Sequence, residues 1–125
     1  MPECIGRARG LVWCAAAVLG ACATPAPQLT QAIEFGPTEV PPQGFHQRCQ
    51  TLLATARLDF EFTADAPLTM VVEYRERDMA LQPLRLDGRR FEAGRFLPEA
   101  TREYCLRWEN PGPERAFLRY RLAPK

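Results

Sequence analysis

The chain has no serine, a single histidine (His46) and a single lysine (Lys125) among its 125 residues. Without serine there is no serine nucleophile, and one histidine supplies neither a second imidazole ligand nor an evident base–nucleophile pair. No Cys-x-x-Cys spacing occurs, which removes the common zinc and thioredoxin-type patterns. Apolar runs are short, far below the ~20 residues that a membrane-spanning helix needs. An excess of one charge is missing too: the formal net charge is +1, so there is no electrostatic footprint for nucleic acid. What is plentiful is proline, whose twelve copies argue against a helical bundle. Hydrophobic content of 46% and charged content of 25% suit one folded domain and do not suit a disordered chain.

The N-terminus reads as an export signal. Arg7 and Arg9 precede an apolar stretch at 11–19, which as a helix would cover only ~14 Å. Leu19-Gly20-Ala21-Cys22 then resembles the lipobox of bacterial lipoproteins, a branched apolar residue and two small residues before a cysteine. The resemblance implies cleavage before Cys22 and diacylglycerol on its thiol. It makes 1–21 a signal peptide, and Ala23, in place of aspartate, implies the outer membrane facing the periplasm. Ordinary cleavage after Ala23 is the alternative, since Ala21-Cys22-Ala23 also has the small-x-small pattern. Removing the signal leaves basic and acidic residues equal in number.

Cys4 and Cys14 leave with the signal and Cys22 carries lipid, so Cys49 and Cys105 remain as an even pair in an oxidising compartment. That reads as one disulfide, worth about 4 kcal/mol on the chain-entropy account. Residues 22–43, with Pro25, Pro27, Pro37, Pro41 and Pro42, read as an extended tether able to reach ~60 Å. Ile33-Glu-Phe35 within it is a candidate edge strand.

Residues 44–125 read as an all-β domain, a small antiparallel β-sandwich closed by the disulfide. Leu58, Phe60 and Phe62 alternate with charged residues, and Pro67 is expected to end that strand. Leu68, Met70, Val72 and Tyr74 begin the next, and Asp87-Gly88 carries a hairpin signal. Tyr104, Leu106 and Trp108 form one further inward set, and Ala116, Leu118, Tyr120 and Leu122 another. Cys105, between Tyr104 and Leu106, falls on the opposite face, which requires either a second covered face or a bulge.

Cys49, Leu58-Asp-Phe-Glu-Phe62, Tyr104-Cys105, Asn110 and Arg119-Tyr-Arg-Leu122 together resemble a GOLD domain, over residues 49–122. GOLD domains are β-sandwich modules of early secretory cargo receptors with similarly placed cysteines. The resemblance implies a protein-interaction module without enzymatic activity, although Cys105 and Asn110 stand further apart here than is usual.

Candidate chemistry is sparse, and no cofactor is expected. His46 with Glu73, Glu76 and Asp78 is the alternative reading, a small-ligand or metal site, but Arg75 and Arg77 interleave the acids as ion-pair partners. Arg107, Arg119 and Arg121 could line one face of adjacent final strands with Glu73, as an interaction surface for an anionic glycan, a lipid headgroup or an envelope partner, but ion pairing with Glu73, Glu103 and Glu109 across the strands is the favoured reading. Trp108, Tyr104 and Tyr120 read as core.

Overall fold

The computed structural model describes residues 24–125, so the expected signal peptide at 1–21 and the expected lipidation site Cys22 lie outside the described residues. Six strands follow in order: β1 (Ile33–Val40), β2 (Phe45–Leu52), β3 (Leu58–Glu76), β4 (Met79–Phe96), β5 (Arg102–Glu109) and β6 (Ala116–Pro124). All pairings between these strands are antiparallel, and they form one curled sheet of order β1-β6-β3-β5-β2, with β4 on β3. The fold is all-β and closed by the Cys49–Cys105 disulfide.

The long β3–β4 hairpin is common to two halves. β3 pairs with β6 from Leu58 to Ala64, then with β5 from Thr69 to Glu73. One half is therefore β1-β6 with the start of β3 and the end of β4. The other is β2-β5 with the end of β3 and the start of β4. The curl lays them face to face: Trp108 of β5 stacks on Tyr120 of β6 at 4.3 Å and meets Phe62 of β3 edge-on at 6.2 Å. Alternation supplies the core between them. Tyr104, Leu106 and Trp108 are buried from β5, and Leu118, Tyr120 and Leu122 from β6. Each such side chain contributes about 1.5–3 kcal/mol of transfer free energy.

Three expectations are corrected. Pro67 does not end a strand, because β3 runs through it to Glu76. Between the pairs Thr63↔Phe91 and Leu68↔Arg89, residues 64–67 of β3 face Arg90 alone. A proline without an N–H is tolerated there because the ladder is already broken where β3 changes partners. Asp87-Gly88 is not a hairpin turn. Gly88, at φ 63, belongs to a bulge inside β4, where Asp87 and Gly88 oppose Thr69 between Leu86↔Met70 and Arg89↔Leu68. The actual turn is Arg77-Asp78, between the paired Glu76 and Met79, with Arg77 at φ 57.

The third correction concerns the tether, whose second half belongs to the domain. β1 occupies Ile33–Val40, extending the short strand expected at Ile33, and pairs with β6 from Ile33↔Leu122 to Val40↔Ala116. Ahead of it the chain is tied to the end of β2. Thr51 N donates to Pro27 O (2.9 Å), Leu29 N to Thr51 O (3.3 Å) and Thr51 Oγ1 to Ala26 O (2.8 Å). Leu29 is buried in the core.

Two glycines are fixed by close approach. Gly36, at φ 114, lies against the Leu118 carbonyl and Arg119 Cα, where a Cβ would collide with backbone. Gly94 sits opposite Phe60, whose ring covers the place a Cβ would fill. At the pole where β1 turns into β2, the buried Asn110 donates to Val40 O (3.1 Å) and Glu114 O (2.7 Å) and accepts from Gly112 N (3.0 Å).

Candidate functional site

β1 and β2, which with β4 are the strands that have a single strand neighbour, are not paired with each other, and the mouth between them is lined by polar and aromatic side chains. β2 turns His46, Arg48 and Gln50 inward, because each is paired with an inward residue of β5 or lies two residues from one that is. β1 contributes Phe35, which is opposite Tyr120 and therefore on the same inner face. Charged residues on the inner face of an edge strand also discourage edge-to-edge aggregation.

A hydrogen-bonded chain runs along this mouth. Arg48 Nη1 donates to Tyr120 Oη at 3.2 Å, and His46 Nε2 lies 3.0 Å from the same oxygen. With Arg48 donating, the arrangement that satisfies all three groups has the phenol donating to a neutral His46 Nε2. Gln50, in the amide orientation that satisfies both ends, accepts from Arg48 Nε (3.1 Å) and donates to Pro27 O (2.8 Å). Phe35 stacks on His46 at 5.2 Å, and the Arg48 guanidinium lies 5.5 Å from the centre of the Phe35 ring.

Burial, and secondarily the positive charge of Arg48, hold the His46 pKa below its ordinary 6.5. Burial raises that of Tyr120 above 10.0, against a smaller opposing effect of Arg48. Both groups are therefore neutral near pH 7, which leaves Arg48 as the charge of the mouth. Among the described residues no carboxylate lies within ion-pair distance of Arg48. Beneath it, the Trp108 indole N–H is buried without a hydrogen-bond partner among the described residues.

A surface shared by Arg107, Arg119, Arg121 and Glu73 is not assembled. β3 lies between β5 and β6, so the final strands are not neighbours. Arg107 and Glu73 pair on the outside of one half at 3.1 Å, and Arg107 also reaches Glu109 at 3.6 Å. Arg119 and Arg121 point outward from the other half, where Arg121 pairs with Glu34 at 3.4 Å. They flank a groove of about 440 Å³ lined also by Glu61 and Thr63.

The His46–acid cluster is not assembled either. His46 faces inward opposite Trp108, whereas Glu73 is opposite Cys105 on the outer face, Glu76 adjoins the exposed hairpin turn and Asp78 is part of it. Among the described residues, the group of three metal-ligating side chains that does converge is Cys49, Glu103 and Cys105. Its two sulfurs are bonded to each other, so they are not thiolate ligands. The cysteines are directly opposite each other in the β2–β5 register, on the outer face, with Cα atoms 4.0 Å apart. Neither a bulge nor an inter-sheet bridge is needed to join them.

Sequence reading singled out His46 but not Arg48 or Phe35. The signal for Arg48 was its place two residues beyond His46 on a period-two strand. Phe35 depended on a β1–β6 pairing that no local pattern encodes.

No family model matches the chain, and no curated protein matches it. Among solved structures it is similar to a de novo designed double-stranded beta-helix determined by solution NMR. That match has 14% identity and a TM-score of 0.41, and covers 77% of this chain and 100% of the other.

Proposed function

We propose that this protein is a lipid-anchored, non-catalytic interaction module of the bacterial cell envelope. It is held through Cys22 in the outer membrane facing the periplasm, and it engages a protein partner at the β1–β2 mouth. The observation that carries the reading is Arg48, a half-buried guanidinium whose hydrogen bonds go only to neutral groups. Charges withdrawn from water are normally paired, so Arg48 in this setting calls for an anion brought from outside. The partner's contribution is an acidic side chain or a terminal carboxylate, seated on Arg48 beside Phe35. Phenylalanine and arginine together suit a contact centre, since aromatic and arginine side chains carry much of the energy of such interfaces. The lipobox-like Leu19-Gly20-Ala21-Cys22 supports the anchor, and the GOLD-like placement of Cys49 and Cys105 agrees with a binding module.

A photo-crosslinking amino acid at Phe35, in cells making the full chain, tests the contact. Discrete adducts that disappear with Arg48→Gln are expected. No adduct, or adducts indifferent to Arg48→Gln, would sink the reading. The anchor is tested separately by Cys22→Ala, which should lose the diacylglycerol mass and leave the membrane fraction.

A further inference from the structure

The docking of residues 26–29 on Thr51 fixes where a lipid on Cys22 enters the bilayer relative to the domain. From it we infer that the pole formed by the ends of β2, β4 and β6 and the start of β3 lies flat on the membrane surface. This inference rests on the lipid-anchor reading above and extends it to an orientation. Cys22 precedes Ala26, whose carbonyl is already bonded to Thr51, by four residues. A fully extended chain of that length spans at most ~14 Å. The anchor is a short leash attached at one pole, in place of the ~60 Å tether that the prolines alone suggested.

That pole has the chemistry of a membrane-facing surface. Beside the docked segment is an apolar groove of about 240 Å³, lined by Leu29, Leu52, Leu53, Ala56, Leu58 and Pro124 among others. Leu53 and Leu97, in the two loops that join the halves here, are 36% and 63% exposed. The loops are held together as a platform: Ala54 N donates to Thr101 Oγ1 at 2.9 Å, and Arg57 and Lys125 exchange backbone bonds at 2.9 and 2.8 Å. Arg57 lines the groove and is exposed, so its guanidinium can reach phosphate groups, whereas the Lys125 ammonium is paired with Asp59 at 3.2 Å and the loop at 97–101 also exposes Glu99. The opposite pole, organised by Asn110, carries Pro111, Pro113, Glu114 and Arg115 and also exposes Phe45 and Phe117, so the four-residue leash, more than apolar surface, selects the pole beside Thr51. The occupant is therefore the bilayer that holds the lipid on Cys22. With that pole down, the mouth opens sideways along the membrane and the Asn110 pole points away from it.

The test uses the full lipidated protein in vesicles of phosphatidylethanolamine and phosphatidylglycerol, carrying a fluorescent amino acid at Leu53, Leu97 or Glu114. A quencher on the upper acyl chain should quench the probes at Leu53 and Leu97 and leave that at Glu114 unaffected. A flexible Gly/Ser insert of roughly 20 residues between Thr24 and Pro25 should abolish the quenching while the protein stays vesicle-bound. Vesicle-bound protein with equal or no quenching at the three positions overturns the orientation and leaves the anchor standing. Quenching that survives the insert overturns the leash as its cause. Protein without lipid mass that does not bind vesicles overturns the anchor reading, and the orientation falls with it.

Discussion

The two halves of the curled sheet hold their edge strands by different means. β2 has one hydrogen-bonded strand neighbour, β5, and is joined to it by the Cys49–Cys105 disulfide on the outer face. β1 also has one neighbour, β6, with no covalent link. It gains closeness instead, through Gly36 lying against Leu118 and Arg119. The outer surfaces differ in the same sense. Arg107 and Glu73 on the β2–β5 half form a bridge whose side chains are 20% and 16% exposed, whereas Arg121 and Glu34 on the other half are 51% and 79% exposed. The β2–β5 half is fastened, and the β1–β6 half depends on fit. The lesson is that one small sheet can hold the terminal strands of its two halves without repeating a device, while the third edge, β4, is held by its long hairpin with β3.

The largest test removes the fastening. Replacing both cysteines by alanine should cost about 4 kcal/mol by denaturant titration, as expected for a crosslink of this sequence separation. It should also reverse the order of amide exchange, so that β2 exchanges before β1. Next comes the fit: Gly36→Ala forces a Cβ into backbone at a positive φ and should cost about 1–3 kcal/mol, with exchange accelerated in β1 and not in β2. A smaller contrast separates the two ion pairs. Arg107→Ala leaves a largely covered carboxylate and should cost about 1–2 kcal/mol, while Arg121→Ala should stay within about 0.5 kcal/mol.

The smallest effect is pH dependence at the mouth, where the halves meet. His46 binds a proton less readily folded than unfolded, because burial and Arg48 oppose the charge. Its contribution to stability is thus complete above its ordinary pKa of 6.5 and declines as pH falls below that value. A modest drop in thermal midpoint on acidification, flattened by His46→Gln, is the expected result.

Much of the fold could be read in the sequence wherever one face alone is buried. β5 alternates throughout and β6 as far as Leu122, so the pattern alone places Tyr104, Trp108, Leu118 and Tyr120 inward, where they are buried. The disulfide followed from counting cysteines. The continuity of β3 through Pro67 was hidden because a proline at a break in the ladder has the same local chemistry as a proline that ends a strand. Asp87-Gly88 misled for a related reason: a left-handed glycine serves a bulge as well as a turn. The true turn, Arg77-Asp78, contains no glycine or asparagine to announce it. The mouth was legible only in His46, because its other members come together through pairings distant in sequence.

The β3–β4 hairpin has a consequence for how the chain acquires its shape. It is the sheet's one pairing between strands consecutive in the chain; β1–β6, β2–β5, β3–β5 and β3–β6 all join segments far apart in sequence. The hairpin can form early from local contacts, and the other strands must then be recruited across long loops at the entropic cost of closing them. β1 and β2, synthesised first, have no partner until β6 and β5 arrive. During that interval their edges are open to other chains, and a chaperone that shields nascent strands would find its substrate at the N-terminal end of this protein.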